Sequence, residues 1–160
     1  MKRNVFGVFA VLSVVLTVLV LAEAGYAQPR RARGKVYTKS EVSQVIKRVE
    51  ERVDNFVGNF DTALDGSKLN GSDREDNLND RAKDLEKATD ELRREFDKRD
   101  KWIENKDEVR KCLNIATDLN VAMKNRKLGV TTETNWTKVK FELNTLAKIY
   151  NLPQVGSATY

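Results

Sequence analysis

Four apolar stripes, each advancing by three or four residues, constrain this chain more than any other feature. In the first, Val42, Val45, Val49, Val53, Phe56, Phe60 and Ala63 recur at steps of 3, 4, 4, 3, 4 and 3, and Ile46, Val57 and Leu64 widen the stripe. This is one face of an α-helix, since a strand turns alternate residues to opposite faces. Thr38 opens the stripe and Glu41 stands three residues on, the arrangement in which hydroxyl and carboxylate each take a free backbone N–H. The spacing predicts a helix to about Leu64, about 39 Å long.

The second stripe, over about residues 73–103, is narrow: Leu78, Ala82, Leu85, Ala88 or Thr89, Leu92, Phe96 and Ile103. Its other faces are almost wholly charged. Asp90 with Arg94, Glu95 with Arg99 and Asp97 with Lys101 stand acid before base at i,i+4, each pair worth a few tenths of a kcal/mol. Acids and bases alternate there with no desolvating surround, which is the pattern of a solvated face and not of acid–base or metal chemistry. A third stripe, Val109, Cys112, Leu113, Ala116, Leu119 and Met123, begins near Asn105 with Glu108 three residues on, and Gly129 is placed to end it. Residues 102–106 are either a break or a kink, with Trp102 closing the end of the bundle. The fourth stripe opens at Thr131 or Thr132 and carries Trp136, Val139, Leu143, Leu146 and Tyr150 before Asn151 and Pro153. Four such stripes on short connections predict an all-α fold, an antiparallel bundle of about four helices.

The connection "LDGSKLNGSDREDNLND", residues 64–80, has the composition of a cation loop. Calcium binding needs oxygen ligands at alternate positions, and counting from Asp65 the fifth position is Leu69. The register fails, so no metal site is expected. Gly66 is expected to end the first helix at positive φ, Gly71 to let the chain reverse, and Ser72 with Glu75 to cap the next helix. Asn70-Gly71-Ser72 and Asn135-Trp136-Thr137 are glycosylation sequons that matter only in a host that modifies exported proteins.

Residues 1–27 read as a secretory signal. Lys2 and Arg3 precede an uncharged run from Val5 to Ala22, and "AEAGYA" supplies small residues with Ala24 or Ala27 before the cut. The run approaches the roughly 20 residues that span a bilayer, so a retained leader would make a membrane anchor. Residues 28–38 form a basic arm, residues 39–152 the bundle and residues 153–160 a C-terminal tail. The whole chain carries a net charge of +5. Arg30, Arg31, Arg33, Lys35 and Lys39 bring all of that excess to one short segment, and everything beyond residue 39 sums to −1. The basic pI therefore belongs to an arm and not to the fold, and nucleic-acid binding is not expected.

Cys112 is the only thiol, which excludes an internal disulfide. It stands on an apolar stripe, and the chain has no histidine to activate it. No Gly-rich phosphate loop or metal-ligand spacing is present either, so the chain reads as non-enzymatic, with no catalytic residue, cofactor or metal.

The segments "RVEERVDNF", "ALDGSKLNGSDREDNLN", "DLEKATDELRREFDKR" and "NWTKVKFELNTLAKIYNL" resemble a family of small, exported, functionally uncharacterised helical proteins of soil bacteria of the acidobacterial type. The likeness spans about Val42 to Leu152 and extends to the arginine-rich stretch. It implies a Gram-negative envelope location and a helical fold, and brings no activity with it. The expected role is a periplasmic interaction or structural module whose basic arm, through Arg30, Arg31, Arg33 and Lys35, meets an envelope protein, anionic lipid or wall polymer. Membrane attachment is expected only if the leader is retained. Phe141 and Ile149 fall off the main stripe of the last helix and are candidates for a second contact, with a partner, a neighbouring helix or a dimer mate. The alternative role is a stress protein with chaperone-like binding of apolar segments, which requires an exposed apolar patch. The sequence leaves the oligomeric state open.

Overall fold

The structure, a computed structural model, describes residues 36–124 and 128–157. Each stripe becomes a helix: α1 (Lys39–Asp65), α2 (Asp73–Lys98), α3 (Lys106–Lys124) and α4 (Val130–Tyr150), with a single 3₁₀ turn at Trp102–Asn105 before α3. The helices pack in a ring, α1 on α2, α2 on α3, α3 on α4 and α4 back on α1. Their side-chain bridges show that neighbours run antiparallel. Lys39 at the start of α1 reaches the carbonyl of Arg99 beyond the end of α2, while Asn79 near the start of α2 donates to Asp61 near the end of α1. Lys111 meets Glu91 and Arg81 meets Asp118 in the same reversed order between α2 and α3. The expected antiparallel four-helix bundle is the fold.

The core is the sum of the four stripes. Val42, Ile46, Val53, Phe56, Phe60 and Leu64 of α1 meet Leu85, Leu92 and Phe96 of α2, Val109, Cys112 and Leu119 of α3, and Val139, Leu143, Leu146 and Tyr150 of α4. Phe56 stacks on Phe60 and lies tilted against Trp136, with ring centroids 5.0 Å apart in both pairs. Burying residues of this size is worth roughly 1.5–3 kcal/mol each, which is why the stripe pattern selects the bundle.

The cap of α1 forms as expected. Thr38 Oγ1 accepts from the Glu41 N–H and the Glu41 carboxylate accepts from the Thr38 N–H at 2.9 Å. The reversal that follows departs in two details. Gly66 ends α1 with φ −80°, an ordinary right-handed conformation, and the positive φ belongs to Gly71 at +75°. Ser72 caps α2, but the Glu75 carboxylate takes the Gly71 N–H at 2.5 Å in place of the Ser72 N–H. The Ser72 N–H already donates to the Leu69 carbonyl at 2.9 Å, which leaves the Gly71 N–H as the donor for the carboxylate.

The largest difference lies between the second and third stripes. α2 stops at Lys98, not near residue 103, and Ile103 is half-exposed instead of continuing the stripe. Asn105 does not cap α3 with Glu108. It is fully buried, its amide has no hydrogen-bond partner in the protein, and Glu108 pairs with Arg99. The α2–α3 connection is therefore a true break. Trp102 closes that end of the bundle edge-on to Tyr150, whose hydroxyl donates to the Trp102 carbonyl at 2.8 Å.

Gly129, expected to stop α3, stands instead at the N-cap of α4 with φ +90°. α4 ends as expected, with Asn151 in the left-handed conformation. The segment beyond it is more than a tail. Val155 is buried, and its N–H and C=O both bond the Asn144 side chain, at 2.8 and 3.4 Å.

Candidate functional site

Arg30, Arg31, Arg33 and Lys35 lie outside the described residues, as does the leader. The two remaining candidates separate. Phe141 is 68% exposed, whereas Ile149 is 8% exposed and belongs to the core. At 100° per residue, eight residues leave 80° between two positions, enough to carry Ile149 round to the packed side. They do not share a contact surface.

Cys112 is fully buried on α3, and burial pushes its thiol up to about 12. A thiol that holds its proton this tightly is not a nucleophile at neutral pH. Among the described residues no group of three or more metal-binding side chains could hold an ion. No described helix is long and apolar enough to cross a membrane.

Two arrangements were not evident from the sequence. At the end of the bundle, Arg99 grips Glu108 with two nitrogens, at 2.6 and 3.1 Å, and also donates to the Glu104 carbonyl. The bond to Glu108 holds the Arg99 guanidinium above its ordinary range. Lys39 reaches the Arg99 carbonyl at 2.6 Å while lying over the Phe96 ring, so one cation satisfies a free helix-end carbonyl and covers an aromatic face. Burial and the nearby Glu108 charge raise the Tyr150 phenol. Arg99, Glu108, Lys39 and Tyr150 are each engaged with another protein group, and these four work as a clasp.

The second arrangement is an acidic groove between α1 and α2. Glu50, Asp54, Glu86 and Asp90 face one another there. Partial burial raises Glu50, Asp54 and Glu86 above the usual carboxylate range; the mutual repulsion of these acids adds to it, opposed at Glu50 by Arg93 and at Glu86 by Lys83 and Lys87. The signal was present in the chain as two like-charge i,i+4 pairs, Glu50 with Asp54 and Glu86 with Asp90, which oppose helix formation and call for an explanation. Of the ion pairs expected on α2, Glu95 and Arg99 approach to 3.9 Å, Asp97 is taken by Arg93 at 3.3 Å, and Lys101 lies beyond the helix end.

Two open clefts of about 380 Å³ flank α3. One is lined by Arg110, Asn114, Asp118 and Gln154, the other by Arg74, Leu78, Arg81 and Val121. Leu113, Leu152 and Pro153 supply the apolar part of the first lining, and both clefts are open to solvent. Comparison of the chain with protein-family models, curated proteins and solved structures returns no match.

Proposed function

We propose that the chain is a non-enzymatic, exported interaction or structural module of the cell envelope: a signal at residues 1–27, a basic arm at residues 28–38 and a rigid helical bundle. The observation that carries this reading is how completely the four stripes are used up within the bundle. Among the described residues the large hydrophobics left exposed, Val36, Ile103, Val121, Val130 and Phe141, lie on different elements apart from the last two. A chaperone needs a broad apolar patch in its folded state, so this distribution favours a module that meets a defined partner. The inert thiol and the closed clasp of Arg99, Glu108, Lys39 and Tyr150 support a non-catalytic role. Arg30, Arg31, Arg33 and Lys35 then serve as the electrostatic contact with an envelope protein, anionic lipid or wall polymer.

Crosslinking in intact cells, followed by mass spectrometry of the native protein and of what it captures, tests the reading. The expected result is an intact mass corresponding to cleavage after Ala24 or Ala27 and one dominant envelope component, lost when Arg30, Arg31 and Arg33 become serine. Capture of many unrelated exported proteins, enriched after heat or acid stress, would establish the chaperone role instead. An intact mass that includes the leader would make the protein a membrane-tethered one.

A further inference from the structure

Asn70 is the one asparagine of the chain that a glycine follows. It lies exposed in the reversal between α1 and α2, outside any helix. Asparagine is a thermolabile residue, because its side-chain carbonyl carbon stands one five-membered ring away from the next residue's backbone nitrogen. Whether the two can meet depends on the backbone. In a helix the next N–H donates to a carbonyl one turn back and is held along the axis, away from the side chain. Among the described residues the other asparagines lie in the helices or the 3₁₀ turn, apart from Asn151. Asn151 is followed by Leu152, whose N–H is taken by the Ala147 carbonyl at 2.8 Å.

The turn at Gly71 has neither obstacle. Gly71 holds φ +75°, and beyond its chain neighbours no atom lies within 4 Å of the place a Cβ would take, so its nitrogen is open on that side. Its N–H is held by a side chain and not by a helix carbonyl: the Glu75 carboxylate accepts it at 2.5 Å. Asn70 Nδ2 donates to the Asp65 carbonyl at 2.6 Å. The nucleophile and the leaving group of a ring closure are thus each pinned by one hydrogen bond, the first to α2 and the second to the end of α1. Glu75 has the firmer grip. It is 8% exposed, and its charge disfavours the amide anion that ring closure requires.

We propose that Asn70-Gly71 is a self-modification site, guarded by Glu75 and opened by local fraying of the reversal. When the Glu75 bond opens, solvent hydroxide takes the Gly71 amide proton and the nitrogen attacks Asn70 Cγ. The Cγ–Nδ2 bond breaks, and ammonia leaves with a proton from water, which regenerates the hydroxide and closes a five-membered imide. Water then adds to either imide carbonyl and opens the ring to aspartate or isoaspartate at position 70. The net exchange is one water in and one ammonia out, with no change of oxidation state. The product loses the donor that Asn70 gives the Asp65 carbonyl and sets a new negative charge at the C-terminal end of α1, where the helix dipole opposes it. Isoaspartate also adds a methylene to the main chain two residues before the Ser72 cap. The reversal is therefore the part of the bundle that ages first, and this holds whatever partner the bundle meets.

Incubation of the full folded chain at mildly alkaline pH, followed by proteolytic mapping that separates asparagine, aspartate and isoaspartate, tests the proposal. Wild type is expected to convert at residue 70 ahead of its other asparagines, with both products present, and more slowly than the same chain unfolded in urea. Glu75→Ala is expected to speed the conversion roughly tenfold, the change in open fraction that loss of one charge-assisted hydrogen bond brings. Glu75→Gln, which keeps an acceptor without the charge, is expected to fall between. Ser72→Ala removes the other bond of the cap and leaves the carboxylate in place, so it separates the guard from general loosening. It is expected to lower the melting temperature without a comparable gain in rate. Another asparagine converting first, a folded rate equal to the unfolded one, or a rate for Glu75→Ala no faster than for Ser72→Ala would each overturn the proposal.

Discussion

At Arg48 and Glu142 an ion pair joins α1 to α4. The Glu142 side chain is only 10% exposed and both its oxygens lie 3.1 Å from Arg48 Nε, while Arg48 itself is 44% exposed. Removing the arginine leaves a buried charge without compensation, whereas removing both partners removes the problem as well. Arg48→Met is therefore expected to cost about 1–3 kcal/mol in urea denaturation, and Arg48→Met with Glu142→Leu distinctly less. Equal losses in the single and double variants would show that the pair is not coupled. Cys112 carries the second prediction at this scale. Its folded-state pKa is raised to about 12, so the stability tied to the protonated thiol is fully present below the unfolded thiol's value and is lost as pH rises through the folded one. The native protein is expected to ignore thiol reagents at pH 8 and to lose stability between about pH 9 and pH 12, with Tyr150 acting in the same direction. Cys112→Ala is expected to flatten that alkaline loss in part, and rapid labelling of folded protein at pH 8 would contradict the burial argument.

The elements owe their boundaries to short polar sequences. Gly71 holds φ +75°, a region an L side chain enters only at a cost, while Gly66 sits at φ −80° with only ordinary contacts for an added methyl group. Gly71→Ala is expected to destabilise by about 1–2 kcal/mol. Gly66→Ala is expected to be neutral or stabilising by up to about 1 kcal/mol, since it reduces the freedom of the unfolded chain. Thermal melts of the two variants moving in the same direction would refute this assignment of the turn. The opposite assignment followed from the sequence because both glycines flank a helix end and both fit the same composition rule. Which one takes the left-handed conformation depends on where Asn70, Ser72 and Glu75 find their partners, and those partners include Asp65, Leu69 and Gly71 on both sides of the turn. The break after α2 has a similar origin. Arg99, Glu108 and Lys39 come from three elements, and their convergence outweighs the local helical preference of residues 99–103.

On the scale of the whole molecule, charge is unevenly spread over the ring of helices. The acidic groove of α1 and α2 holds Glu50, Asp54 and Glu86 above the usual carboxylate range, so their contribution to stability is present below that range and lost as pH rises through the folded values. Glu91 and Glu95, each hydrogen-bonded to a lysine, are shifted downward and act in the opposite sense. Asp54→Asn is expected to raise the melting temperature at pH 7 and to have little effect near pH 4, and added salt to reproduce part of the gain by screening. A melting temperature for Asp54→Asn that is lower than wild type at pH 7 would show that the groove is not repulsive.

The apolar period alone determined about four helices, most of their buried faces and an antiparallel bundle, because burying those stripes dominates the free energy and only a bundle buries them all. The Thr38 cap, the Asn151 stop and the burial of Cys112 were legible for the same reason: each depends on residues within a turn or two of itself. Only the tertiary structure decided that Ile149 is buried while Phe141 is exposed, that Val155 packs on the bundle, that Asn105 is enclosed rather than capping, and that the Glu50–Asp54 and Glu86–Asp90 pairs, each legible by itself, come side by side. Each of these joins residues distant in the chain, and an electrostatic or packing term between distant residues has no signature in the spacing of either one.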